Sequence, residues 1–467
     1  MTVPPDFAEL RRKTVSTPRI ARTPDPRRNS TRGTTGGTGA TPTAAGACAE
    51  RPGAPPGAPL GTDANSSSPA GQGAEDPASG VTHRAVRYAT RRVLWDQSSL
   101  PRVRNCGRHS VDDDGAVGIK VTPGADGSNV SGLRGLSTCG SVWGCPVCSA
   151  KIAAHRAQDL AQAVEHYTAQ GKSVFMITLT MRHHRGQSLD ECWQALSDGW
   201  NAVNSGKRWQ ADKKYWDISG YNRVTEVTHG ETNGWHVHAH VVLFFDREIG
   251  LESVRHIARG MYGRWEKALR RKGFDAVEEH ALDVRKADEW VSDYLAKTTY
   301  AEDPQLQAAA EAYAEARTAS AKKLAAEAAL GVFKDAKRGN RTPFKILHSI
   351  IAGQQFGMDT SRDEQIWREW EQSSKGRRQM IWSRGLRAEV GLDVEKSDEQ
   401  VVEDDDLQGE VVAWMPKATW NTVKWEAESL LQAFDRSIQD GLAYLNQRGL
   451  AVHTADGSSL TRAPGEP

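Results

Sequence analysis

No stretch of this chain stays apolar for anything close to the roughly 20 residues that a membrane-spanning helix needs. Its first residues also lack the apolar segment of a signal peptide. We therefore expect a cytoplasmic protein with no membrane partner. Cysteine is scarce, with 6 in 467 residues, and in a reducing compartment clustered thiols point to metal rather than to disulfides. Apolar residues make up only 38% of the chain, so part of it is expected to be disordered. An excess of one charge is missing too: Lys+Arg 60 stand against Asp+Glu 59, and so small a balance names no partner. The placement of charge says more. Arg11, Arg12, Lys13, Arg19, Arg22, Arg27, Arg28 and Arg32 are opposed only by Asp25, and Asp398, Glu399, Glu403, Asp404, Asp405 and Asp406 form an acidic run.

The length allows two or three domains. Residues 1–85 are rich in Thr, Gly, Pro, Ala and Ser, as in Gly33-Thr34-Thr35-Gly36-Gly37-Thr38-Gly39. Such a segment buries too little apolar surface to offset its ordering entropy and reads as a disordered basic tail. Its start suits unspecific contact with nucleic-acid phosphates; a solvated tail without function is the alternative. Residues 86–150 form a cysteine segment: Cys106, Cys139, then Cys145-Pro146-Val147-Cys148. A Cys-x2-Cys turn brings two thiolates to one ion, and two more complete a tetrahedral, structural Zn²⁺ site. Cys106 and Cys139 are the available partners, with His109 as the alternative to Cys106. Cys48 has no role in this reading, and Cys192 reads as a core residue of a helix.

A domain spanning residues 151–302 follows. Within it, Trp235-His236-Val237-His238-Ala239-His240-Val241-Val242-Leu243-Phe244-Phe245 reads as a strand. Alternation puts His236, His238 and His240 on one face and Val237, Ala239, Val241 and Leu243 on the other. Three neutral imidazoles on a rigid strand suit a divalent metal better than they suit a core. Around this strand we expect a helix over 151–170, a strand over 173–181 and a capped helix from Ser188 and Glu191 to about Asn204. A strand over 221–228, a basic helix over 251–272, a weaker strand over 276–284 and a short helix over 288–300 complete the set. The order β-α-β-β-α-β is that of an α+β, ferredoxin-like or split βαβ arrangement. Residues 303–450 read as an α-rich C-terminal region and 451–467 as a tail.

On the helix over 288–300, Trp290, Tyr294 and Lys297 share one face. A tyrosine hydroxyl facing a metal-bound phosphate is a nucleophile for transesterification of a nucleic-acid backbone. Lys297 would stabilise the phenolate or the phosphate.

With these residues in hand, the chain resembles the HUH endonucleases that initiate rolling-circle replication, in particular plasmid replication initiators of actinobacteria. Phe175-Met176-Ile177-Thr178-Leu179-Thr180 resembles the first motif of that family. Gly234-Trp235-His236-Val237-His238-Ala239-His240-Val241 resembles its metal motif with an extra leading His, and Asp293-Tyr294-Leu295-Ala296-Lys297 its nucleophile motif. The Cys145/Cys148 region is similar to the cysteine segment ahead of those motifs.

The resemblance implies that His238 and His240 are the core ligands of Mg²⁺ or Mn²⁺ and that Glu226 completes the site. His236 is then a further ligand or a supporting group. It also implies that Tyr294 nicks one strand at the plasmid origin, single-stranded or hairpin, leaving a 5′-phosphotyrosine and a free 3′-OH. Host helicase and polymerase are the further partners implied. Some relatives place a Glu one helical turn before the tyrosine; here Trp290 stands there, and Glu289 is the nearest candidate for that assisting role. Tyr300 points elsewhere on the helix, so a single-tyrosine enzyme is expected. The competing readings are a conjugative relaxase or rolling-circle transposase of the same superfamily, and a non-catalytic zinc-dependent DNA-binding regulator.

Overall fold

The apolar pattern of the chain resolves into two antiparallel sheets and the helices that cover them. The structure, a computed structural model, describes residues 83–111, 115–123, 129–286, 340–355 and 357–454. The first part comprises α1 (His83–Gln97), α2 (Pro101–Asn105), β1 (Val117–Pro123), β2 (Asn129–Arg134) and α3 (Pro146–Thr168). Next come β3 (Val174–Leu179), α4 (Leu189–Asn204), α5 (Gly206–Trp216), β4 (Ile218–Gly230) and β5 (Gly234–Phe245). They are followed by α6 (Leu251–Arg270), α7 (Glu278–Ala281) and β6 (Leu282–Lys286). Beyond residue 339 lie α8 (Pro343–Gln355), α9 (Ser361–Ser374), β7 (Met380–Trp382), α10 (Leu386–Glu389) and α11 (Asp398–Leu407). The last are β8 (Glu410–Met415), α12 (Lys417–Val423), α13 (Ala427–Arg436), α14 (Ile438–Asn446) and β9 (His453–Thr454).

Five strands form the larger sheet in the order β6-β3-β5-β4-β7, every neighbouring pair antiparallel. β3 and β5 therefore lie side by side. One face of β5 (Val237, Ala239, Val241, Leu243, Phe245) is fully buried and joins a core with α4 and α6. α4 starts on a capping box in which Ser188 and Glu191 satisfy each other's orphan backbone groups. α6 presents Val254, Ile257, Ala258, Met261, Trp265 and Leu269 at helical spacing, all buried. On the opposite face Val174, Met176, Val242 and Phe244 pack with Leu160, Ala161, Val164 and Tyr167 of α3. That second face is also the one that carries the histidines, further along the strand.

Two expectations need correction. The weak strand expected over 276–284 begins with the single helical turn α7 and becomes strand only from Leu282 to Lys286. The region over 303–450 is not simply α-rich. β7 pairs with β4, while β8 pairs with β1 and β9 with β8 to close a second sheet, β2-β1-β8-β9. Short apolar runs such as Glu410–Met415 become strands because a distant partner offers them a ladder, which no local pattern records. The acidic run falls mostly on α11, where it is matched inside the molecule. Asp405 and Asp406 both pair with Lys151 of α3, and Asp398 lies 3.0 Å from Arg156. Among the described residues no helix is long and apolar enough to cross a membrane. The expected helix over 288–300 lies outside the described residues, as do residues 303–339 of the region expected to be α-rich and residues 1–82 of the tail.

Candidate active site

Register decides which side chains meet. In the β4–β5 ladder Glu226 stands opposite His238, Val224 opposite His240 and Thr228 opposite His236, while Thr178 of β3 stands opposite His240 from the other side. Glu226 thus projects from the histidine face. Its Oε2 lies 3.1 Å from His238 Nε2 and 2.9 Å from His240 Nε2, and the two Nε2 atoms are 3.1 Å apart. All three side chains are nearly buried, with 8–12% of their surface exposed.

One carboxylate oxygen and two imidazole nitrogens converge here, and with both rings in the Nδ1–H tautomer all three atoms offer lone pairs, so the donor set fits a metal. The spacing fits as well. An octahedral ion with ligands at 2.0–2.1 Å holds adjacent donors about 3 Å apart. Glu226, His238 and His240 can therefore occupy three adjacent positions and leave the others for water or phosphate oxygen. Thr178 Oγ1 lies 3.1 Å from His240 Nδ1; accepting the Nδ1 hydrogen there orients the ring and leaves Nε2 bare for the ion.

His236 stands just outside this trio, its ring centroid 5.0 Å from that of His238. Burial, followed by the neighbouring His238 and His183, pushes its pKa down to about 3, so the imidazole is neutral. Its Nδ1 lies 2.7 Å from His183 Nε2. His183 was missed in the sequence. It sits just past β3 in Arg182-His183-His184, and no periodic pattern carries it. Only its nearness to the first motif could have drawn attention to it.

The four cysteines of the N-terminal segment also converge. Cys106 Sγ lies 3.6 Å from Cys145 Sγ and 3.5 Å from Cys148 Sγ, and Cys139 Sγ is 3.6 Å from Cys148 Sγ. All four are buried. Tetrahedral zinc with Zn–S near 2.3 Å separates its sulfurs by about 3.8 Å, close to these values. Cys106, rather than the exposed His109, is the fourth thiol.

Local structure accounts for the convergence. Cys145 caps α3 ahead of Pro146 and Cys148 lies in its first turn, while Cys106 ends α2. Its carbonyl accepts from Trp95 Nε1 at 2.8 Å. Hydrogen bonds with Cys139, Cys145 and Cys148 hold the Cys106 thiol well below the ordinary cysteine value, while the hydrogen bond with Cys106 holds Cys139 well above it and burial does the same for Cys145. The buried Arg91 lies beside this cluster. Gly107, at φ +65°, leaves it room, since a Cβ there would come within 2.3 Å of Arg91 Nη1. Burial opposes the charge of Arg91, but Tyr88 and three of the sulfurs outweigh that and raise its pKa.

Of the residues singled out in the sequence, the structure thus brings together Glu226, His238 and His240 in one place and Cys106, Cys139, Cys145 and Cys148 in another. It leaves His236 alongside the first group. Cys192 is a buried residue of α4. Tyr294, Lys297, Glu289 and Tyr300 lie outside the described residues.

Residues 132–430, well over half of the chain, match the family model described as replication protein, Rep_1. A Streptomyces lividans protein named Protein rep is 29% identical over 338 residues, covering 60% of this chain and 69% of the relative. A Lentilactobacillus hilgardii protein of the same name is 25% identical over 208 residues, 43% of this chain and 60% of the relative. A Streptomyces cyanogenus protein named Neomycin resistance protein is 29% identical over 170 residues, 30% of this chain and 39% of the relative. No solved structure matches. The matched span holds the histidine strand and three of the four clustered cysteines, and the chain belongs to the Rep_1 family of replication proteins, the plasmid rolling-circle initiators that its motifs resemble.

Proposed function

We propose that this protein nicks one strand at a plasmid origin by tyrosine transesterification, forming a 5′-phosphotyrosine link and a free 3′-OH primer. The observation that carries the reading is the convergence of Glu226, His238 and His240 at the spacing of adjacent octahedral ligands, in a chain that belongs to a replication protein family. The strand order β6-β3-β5-β4, antiparallel throughout, with α4 and α6 against one face, supports reading residues 151–302 as a split βαβ domain of the HUH type. Mg²⁺ or Mn²⁺, when bound, polarises the phosphoryl oxygens and offsets the charge that grows on the attacked phosphate.

The chain's own residues do the rest. The β4–β5 hairpin fixes the three donors on a rigid platform, and Thr178 orients His240. The hydroxyl of Tyr294 attacks phosphorus, the bond from phosphorus to the 3′ oxygen breaks, and the phenolic proton ends on that oxygen. Lys297 steadies the phenolate, whose ordinary pKa is about 10, and Glu289 is the nearest acid for an assisting role. The four cysteines hold Zn²⁺ as a closed, structural site that ties α2 to α3. The proposed partners are origin DNA, single-stranded or as a hairpin, and the host helicase and polymerase that use the 3′-OH, all in the cytoplasm. A non-catalytic regulator would leave the Glu226–His238–His240 set idle, which its convergence speaks against.

The test is mass spectrometry of the DNA-linked peptide, after incubating the protein with Mn²⁺ and single-stranded DNA of its own plasmid. The linked peptide should contain Tyr294, and Tyr294→Phe should abolish the adduct. An adduct in Tyr294→Phe would refute the nucleophile, and normal cleavage by a His238→Ala, His240→Ala double variant would refute the metal site.

A further inference from the structure

We propose that His183 is a positioning residue for the metal centre: it holds His236 in the tautomer whose bare Nε2 faces the water shell of the divalent ion. The proposal rests on Glu226, His238 and His240 being the ligands of that ion.

The argument runs through hydrogen positions. His183 Nδ1 lies 2.9 Å from the backbone carbonyl oxygen of Asn233, in the turn between β4 and β5. A carbonyl only accepts, so Nδ1 of His183 carries the hydrogen. A neutral imidazole has one such hydrogen, which makes its Nε2 an acceptor. That Nε2 lies 2.7 Å from His236 Nδ1, which must then donate. The relay therefore ends with an unprotonated Nε2 on His236.

Both anchors of the relay are braced against each other. Gly234, at φ +76°, sits where a Cβ would come within 3.1 Å of Arg185 Cα, so the loop after β3 packs on the β4–β5 turn backbone to backbone. Glu226, His238 and His240 have donor atoms that all lie within 4.8 Å of one another, and His236 is not in that group. His236, one step along the strand, stands beyond that circle, its ring centroid 5.0 Å from that of His238, and would reach a bound ion through a water. A protonated Nε2 would turn a donor towards the outward hydrogens of such a water, whose lone pair is directed at the ion.

The experiment uses the full chain, with His183→Ala and His183→Gln, whose Oε1 can accept from His236 Nδ1. Mn²⁺ binding is read by electron paramagnetic resonance, and the His236 tautomer by long-range ¹H–¹⁵N spectra of histidine-labelled protein. Wild type should show His236 as the Nδ1–H form. His183→Ala should add the Nε2–H form and weaken Mn²⁺ binding on the order of 10-fold, as loss of an outer-shell partner does. His183→Gln should restore the tautomer and most of the affinity, a rescue that a merely structural histidine would not give. An Nε2–H His236 in wild type, or unchanged Mn²⁺ affinity in His183→Ala, overturns the relay. Failure of wild type to bind Mn²⁺ instead overturns the ligand assignment, whatever the tautomer.

Discussion

At the scale of single residues, period two along β5 carried His236, His238 and His240 onto one face, and period two along β4 carried Glu226 onto one face of its own strand. What sequence could not supply was the register that sets Glu226 opposite His238, because register is a property of two strands at once. His183 was less accessible still, since its partners Asn233 and His236 lie across a loop closure. His229, on the opposite face of β4, shows how a histidine here behaves without a ligand role. It packs against the Trp235 ring at 4.8 Å. Burial, then Arg341 and Arg362, with Arg185 as a smaller contribution against Asp363, pushes its pKa down to about 4. The folded state thus refuses a proton that the unfolded chain accepts near pH 6.5. Its contribution to stability is intact above about pH 6.5, falls as pH drops towards 4, and levels off below that. Thermal melts of wild type and His229→Gln over this window should therefore differ in slope, with the non-titrating variant losing less of its Tm. Parallel slopes would mean that His229 is not depressed.

Elements were legible where local chemistry dictates them. The capping box at Ser188 and Glu191 announced α4, and the chain ends that helix at Asn204 as expected. By contrast, the stretch Trp420 to Arg448, helical in composition, is divided among α12, α13 and α14. Ser437 takes an extended conformation at φ −167° and its side chain accepts from Asp440 N, starting α14 anew. A serine three residues before an acid on an amphipathic face is compatible with either outcome, and packing of α13 against α14 chose. The junction of α4 and α6 yields a sharper expectation. Gly199 lies inside α4, where Gly→Ala ordinarily gains about 0.5–1 kcal/mol of helix stability. Here a Cβ would stand 2.6 Å from Cε3 of the fully buried Trp265. Forcing a methyl into a packed core costs about 1–3 kcal/mol, which outweighs the helical gain. Gly199→Ala should lower the urea midpoint without changing the slope of the unfolding curve. A rise in the midpoint would show that α6 can move aside freely.

Across the whole molecule, the part expected to be an appended α-rich region instead clasps the rest. β8 and β9 complete the sheet begun by β1 and β2, and β7 edges the histidine sheet. α11 lays its acids against α3, the helix that begins at the cysteine cluster and packs on the same sheet face as the histidines, further along the strand. The link is ionic. Lys151 of α3 pairs with Asp405 at 2.7 Å and with Asp406, and Lys120 of β1 lies 3.6 Å from Asp405. Burial works against the Lys151 charge, but Asp406 and Asp405 outweigh it and raise its pKa well above the usual lysine value. Such a cluster is poor evidence of net stabilisation, because desolvation offsets attraction; breaking it is another matter, since it strands a buried charge at a cost of about 3–5 kcal/mol. Asp405→Asn with Asp406→Asn should therefore destabilise the whole chain by an amount of that order in urea unfolding, and weaken the Zn²⁺ binding proposed for the cysteine cluster, because α3 carries Cys148. Adding Lys151→Met to that pair should recover much of the loss, since an apolar side chain needs no counter-ion. If the double variant melts like wild type and keeps its zinc, α11 is an attachment after all and the two halves of the chain are not energetically coupled through it.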